Sequence, residues 1–142
     1  MLLVPSHRLA LLLRPILPHN TWIGWLGAAL VAGGLCFTGW ARIHLGRYWS
    51  GIVALKAEHA LIRSGPYALV RHPIYTGLLL ALAGTLLARG TLGALLGFSL
   101  LVLGVLLKIR QEEQLLVGHF GAAYRDYQTL VPAVVPRFRS SS

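Results

Sequence analysis

Apolar residues dominate three stretches of this chain, and polar ones gather between and after them. Residues 22–41 carry no charge until the following arginine. At ~1.5 Å per residue, a helix of that length reaches about 30 Å, the thickness of a bilayer's hydrocarbon core. Trp22, Trp25 and Trp40 near its ends suit the boundary between lipid and water. Residues 74–88 and 91–109 are the other two stretches, with only Arg89 and Gly90 between them, which predicts a tight helical hairpin. Pro73 fits the first turn of its first arm, where a missing amide hydrogen costs nothing. Gly77 and Ala81 on one arm, and Gly93 and Gly97 on the other, stand four apart. That spacing lets helices approach closely in lipid, or simply reflects how common glycine is in membrane helices.

The flanks read differently. Residues 1–18 surround a short leucine-rich core with His7, Arg8 and Arg14, and no small-residue cleavage site follows. An interfacial helix or partial span is favoured over a cleaved signal. From 111 to 130 the apolar positions Leu116, Phe120, Tyr124 and Tyr127 recur at helical spacing, with polar residues between them. This is an amphipathic helix on the cytoplasmic surface, with a break expected near Gly118 or Gly121. The fold class is therefore all-α and integral to the membrane, with three transmembrane helices in one domain spanning residues 1–142.

Composition agrees: of 142 residues, 56% are hydrophobic and 12% charged, with a mean hydropathy of +0.66. Thirteen Lys and Arg against four Asp and Glu give a net charge of +9. The basic residues punctuate apolar runs instead of covering a soluble scaffold, so anionic lipid head groups are better partners than nucleic acid. A hairpin returns the chain to the side it left. Segment 42–72 and everything after residue 109 then share one face, which with Lys108 holds ten of the thirteen basic residues, and the positive-inside rule makes that face cytoplasmic. Arg89 falls on the opposite side. The single cysteine, Cys36, forms no intrachain disulfide, and no metal-site spacing is present. An oligomeric state is not read from these residues.

Chemistry concentrates at two places. Arg71-His72-Pro73-Ile74-Tyr75 puts a cation, an imidazole and a phenol at a helix N-terminus, either as a cradle for a ligand carboxylate or as a snorkelling arginine beside an anchoring tyrosine. Glu112 and Glu113 are half of the acids in the chain and follow a membrane span directly. There they oppose a helix dipole and need compensation, from a bound cation or from Lys108 one turn earlier. Nucleotide-binding glycine fingerprints, P-loops and nucleophile elbows are all missing from the sequence.

Residues 64–77, Ser-Gly-Pro-Tyr-Ala-Leu-Val-Arg-His-Pro-Ile-Tyr-Thr-Gly, are followed by Glu112-Glu113, Phe120-Gly121, Tyr124, Tyr127 and Val131-Pro132. In this order, the two blocks resemble the isoprenylcysteine carboxyl methyltransferase family and its phospholipid methyltransferase relatives, over residues 40–138. The resemblance implies a helical membrane core whose cytoplasmic segments close over S-adenosyl-L-methionine, with a lateral opening for a lipid-like methyl acceptor. Carried over by position, it implies cofactor contacts at His59, Ala60, Leu61, Ile62, Tyr67, His72, Pro73, Ile74, Tyr75 and Glu112. The carboxyl methyltransferases place an arginine one turn before that glutamate, and Lys108 stands there, as the residue to meet the substrate carboxylate. Lysine supplies the charge without the bidentate fork. A short N-terminal region suits a prokaryotic relative in the inner, cytoplasmic membrane. An N- or S-methyltransferase of the same fold, an NADPH-dependent lipid reductase and a non-catalytic membrane subunit remain as alternatives.

Overall fold

The computed structural model describes residues 6–18, 20–46 and 61–137. Among these residues six helices follow in order: α1 (Ser6–Leu12), α2 (Thr21–Leu45), α3 (Pro66–Leu69), α4 (Pro73–Arg89), α5 (Leu92–Phe120) and α6 (Ala122–Leu130). Among the described residues there is no strand, only an isolated bridge between Pro15 and Thr91. Two of the helices, α2 and α5, are long and apolar enough to cross a membrane. Three were expected. Helix α4 is a shorter apolar helix of 17 residues, because Pro73 opens it and Gly90, in the left-handed conformation, closes it. Helix α1 has seven residues, about 10 Å of rise, far short of a span.

The boundaries follow from local chemistry. Asn20 caps α2 by accepting from the Trp22 amide at 3.1 Å, and Thr91 caps α5 through the Ala94 amide at 3.3 Å. Gly90 and Thr91 thus form the expected tight turn between α4 and α5.

The main packing is α2 on α4. A Cβ on Gly27 would meet the Gly84 carbonyl at 2.6 Å, and one on Gly84 would meet the Gly27 carbonyl at 2.5 Å. Gly34 meets Gly77 and Ala81 in the same way. Moving up α2 moves down α4, so the two run antiparallel with their backbones nearly touching. Of the small residues spaced four apart, Gly77 and Ala81 make such a close approach, to α2. Gly93 lies against Leu12 of α1, and nothing stands within 4 Å of a Cβ on Gly97. Leucines such as Leu95, Leu100, Leu103 and Leu106 on α5 stay exposed, an apolar surface that water does not favour.

The segment after α1 folds over the α4–α5 turn. Ile16 donates its amide to the Gly90 carbonyl at 2.7 Å, and Leu92 donates to Arg14 at 3.0 Å. This places Arg14 at the same end of the molecule as Arg89.

At the other end, α5 runs unbroken past its apolar stretch to Phe120 and breaks at Gly121, where φ is 56°. Leu116, Tyr124 and Tyr127 then form a small core, joined by Leu61, Val117, Phe120 and Val131. The amphipathic stripe is therefore shared between α5 and α6 and folds upon itself. One expectation fails here: no helix ends beside Glu112 and Glu113, since α5 continues for two more turns.

Candidate functional site

The site lies where the start of α4, the polar end of α5 and the segment after α6 converge. Pro73 occupies the first turn of α4, with His72 as its cap, and both are buried. Helical geometry puts Tyr75 on the same side as His72, their rings 5.9 Å apart and stacked. Across from them, α5 presents Glu112 and Glu113 in succession.

Glu112 is 4% exposed. Its Oε1 accepts from the Tyr75 hydroxyl at 2.6 Å and lies 3.5 Å from Lys108 Nζ. Its Oε2 lies 3.8 Å from His72 Nδ1, too far for a hydrogen bond. A buried carboxylate thus has one oxygen hydrogen-bonded and the other without a hydrogen bond among the described residues. The Lys108 side chain is 52% exposed, so its pairing with Glu112 is screened on one side by solvent.

Glu113 has different partners. It accepts from Arg71 Nε at 2.8 Å and Nη2 at 2.7 Å, from His72 Nε2 at 3.1 Å and from Gln128 Nε2 at 3.1 Å. A carboxylate only accepts, so His72 carries its proton on Nε2 in this bond. Arg71 Nη1 reaches the carbonyls of Gln128 at 3.1 Å and Val131. The backbone joins in: the Arg71 and His72 amides donate to Pro132 at 2.9 Å and Ala133 at 3.0 Å. The Thr76 hydroxyl donates to Val134 at 2.7 Å.

Three tyrosines line the neighbouring core. Burial pushes the Tyr67 phenol up to about 12, with the Arg42 charge lowering it and the Glu112 charge raising it. The Tyr124 and Tyr127 phenols are also raised, foremost by burial. All three stay neutral at physiological pH. Tyr127 donates to the Tyr67 carbonyl, whereas the buried Tyr124 hydroxyl has no well-formed hydrogen bond among the described residues.

Of the expected site residues, His72, Tyr75, Lys108 and Glu112 meet in one cluster, with Tyr67 near enough to feel the Glu112 charge. Pro73 and Ile74 serve packing: Pro73 is fully buried, and the Ile74 carbonyl accepts from Thr38 of α2 at 3.3 Å. Leu61 packs on the Leu116, Tyr124 and Tyr127 core, and Ile62 is half-buried before α3. His59 and Ala60 lie outside the described residues. Arg71 neither snorkels nor stands open to a ligand carboxylate, because Glu113 engages it. Gln128 went unnoticed in the sequence, and no local pattern marks it. Among the described residues, no group of His, Cys, Asp and Glu could hold a metal ion.

The chain is similar to known proteins over most of its length. A sequence model of the isoprenylcysteine carboxyl methyltransferase family matches residues 25–118. A protein-S-isoprenylcysteine O-methyltransferase of Schizosaccharomyces pombe is 37% identical over 99 residues, 68% of this chain and 42% of that protein. The nickel-cobalt-cadmium resistance protein NccN of Alcaligenes xylosoxydans xylosoxydans is 32% identical over 140 residues, 92% of this chain and 63% of that protein. Methanethiol S-methyltransferase 2 of Bradyrhizobium diazoefficiens is 41% identical over 71 residues, 50% of this chain and 27% of that protein. The chain thus spans less than two thirds of the length of each of these relatives. The matched region holds α4, most of α5 and both halves of the Glu112 cluster, and on that match the chain belongs to the isoprenylcysteine carboxyl methyltransferase family.

Proposed function

We propose that this chain is an S-adenosyl-L-methionine-dependent methyltransferase acting on a lipid-like acceptor at the membrane, with an isoprenylcysteine-type carboxylate as the favoured acceptor. The observation that carries this reading is the buried Glu112, ringed by Tyr75, His72 and Lys108 at the point where an apolar helix turns polar. The free side of Glu112 Oε2, facing His72 Nδ1 across 3.8 Å, suits a cationic or hydrogen-bond-donating group, which the cofactor carries at its amino-acid end. Tyr67, a neutral phenol beside this cluster, is suited to a neutral part of the same molecule. When bound, the cofactor supplies a methyl group on a positively charged sulfur, open to displacement.

The protein's own task is alignment and exclusion of water. His72 and Pro73 close the base of the site. Glu112 offsets positive charge, and Lys108 faces outward, where it can draw in an anionic acceptor and hold it beside the methyl group. A carboxylate attacks without first losing a proton, so the site needs no further base. Among the described residues, Arg42, Arg63, Arg71, Lys108, Arg110 and Arg125 lie toward the site end and Arg14 and Arg89 toward the other, which supports a cytoplasmic site in an inner membrane. In this reading α4 crosses the bilayer beside α2.

A second reading, methylation of a thiol or amine, draws on the similarity to the methanethiol S-methyltransferase and on a lysine in place of a forked arginine at position 108.

Calorimetry on the purified chain with S-adenosyl-L-methionine and with NADPH tests the assignment. Only the former is expected to bind. Glu112→Ala and Tyr67→Ala should each weaken it by about ten- to a hundredfold, the worth of a charge-assisted or buried hydrogen bond. Unchanged affinity in both variants would place the cofactor elsewhere, and binding of NADPH alone would replace the reaction class.

A further inference from the structure

We propose that Arg71 and Glu113 are a positioning pair: they buckle the segment after α6 to the start of α4, and they set which nitrogen of His72 faces the site. The inference rests on the methyltransferase reading for its functional meaning, and its geometry stands apart from it.

Glu113 collects four donor contacts from three residues in two parts of the chain: two from Arg71, one from His72 and one from Gln128. Arg71 spends its remaining nitrogen on the carbonyls of Gln128 and Val131. The side chains of the pair are 10% and 19% exposed, and Arg71 has no edge left over for a second carboxylate. The forked guanidinium is needed because it reaches Glu113 on one side and two carbonyls on the other, a geometry that lysine cannot copy. The segment it ties down also receives the Arg71 and His72 amides and the Thr76 hydroxyl. Residues 131–134 are therefore a strap along the α4 start, fastened at one point by an ion pair.

The second half of the proposal concerns the ring between the two glutamates. With Nε2 donating to Glu113, a singly protonated His72 ring leaves its lone pair on Nδ1, the nitrogen that lies 3.8 Å from Glu112 Oε2. In that state two acceptors lie side by side, an arrangement that a donor or a cation from a ligand settles. Glu113 acts at a distance: it touches no ligand and makes His72 an acceptor toward the site. Without it, the ring is free to turn a proton toward Glu112 and compete with the ligand's donor.

The test is a double-substitution cycle on the full chain in detergent, with Arg71→Met, Glu113→Met and both together. Hydrogen exchange at the Arg71 and His72 amides reads the strap. Ring-15N histidine spectra, assigned with His72→Phe, read the imidazole, and calorimetry reads S-adenosyl-L-methionine. Each single variant should speed exchange at least about tenfold and weaken the cofactor by about ten- to a hundredfold. The double variant should cost about as much as the worse single one, since removing both partners leaves no stranded charge. The wild-type ring should show Nε2 protonated and Nδ1 bare, a preference lost in Glu113→Met and kept in Glu113→Gln, which retains an acceptor oxygen. Losses that multiply in the double variant would overturn the pair. So would Arg71→Met weakening the cofactor with exchange and ring signals unchanged, because Arg71 would then be a ligand contact. A wild-type Nδ1 that carries the proton would overturn the role of Glu113. If the wild-type chain binds no S-adenosyl-L-methionine, the methyltransferase reading falls, and exchange and ring signals still decide the pair.

Discussion

Adjacent glutamates in the sequence have opposite situations in the fold. Glu112 is nearly sealed and has one oxygen without a hydrogen bond among the described residues, while Glu113 is more exposed and saturated by donors. The sequence shows that both need compensation, and Lys108 one turn before Glu112 is visible as a helix-surface partner, which the 3.5 Å separation bears out. The partner of Glu113 is not visible, because Arg71 stands 42 positions away and meets it only once α4 and α5 have converged. Lys108 makes the acceptor testable. If the acceptor is a carboxylate, Lys108→Ala should lower kcat/KM by about tenfold, the smaller end for a charged hydrogen bond at a half-exposed position, with cofactor affinity unchanged. Lys108→Arg should retain activity. Methyl-transfer assays with a prenylcysteine analogue, a fatty acid and phosphatidylethanolamine check this. Transfer to the amine alone, undiminished in the Ala variant, would favour the second reading.

Among the helices, sequence and structure agree where the signal is local. The hairpin turn falls between Arg89 and Thr91, and α2 extends the expected 22–41 stretch by one residue at its start and about one turn at its end. The run of α5 to Phe120 is obscured because apolar spacing of four, four and three continues smoothly through Gly121, so one helix and two read alike. Helix pairing is a long-range matter. The four-residue spacing of Gly77 and Ala81 points to some close neighbour without naming it. The signal that identifies α2 is the matching seven-residue spacing of Gly27 with Gly34 and Gly77 with Gly84. This yields a paired expectation from one chemical change. Gly84→Ala forces a methyl onto the α2 backbone and should destabilise by about 1 to 3 kcal/mol. Gly97→Ala has open space and should stabilise by up to about 1 kcal/mol through helix propensity. Thermal unfolding in detergent distinguishes them, and equal effects would argue against the α2–α4 contact.

Taken whole, the molecule has two ends with different occupants: the Glu112 cluster at one, and at the other the Gly90 turn covered by residues 14–17. In a Cys36→Ala background, Arg89→Cys should react with an impermeant thiol reagent applied to intact cells, and Arg125→Cys only after permeabilisation. The reverse pattern would invert the protein in its membrane. Helix α5 joins the two ends as a single rod of 29 residues, about 43 Å long. It touches α4 lightly between them. Such a rod is a lever with its fulcrum at Gly90 and Thr91. Glu112 rides about 30 Å from that fulcrum, so a tilt of only ~10° sweeps it through roughly 5 Å. That arc is wide enough to part it from Tyr75 and His72 altogether. The Glu113 contacts to Arg71, His72 and Gln128 pin the far end of the rod against such a tilt. If α5 crosses a bilayer, one a few ångströms thinner or thicker would load those contacts through the slant at which that apolar rod fits.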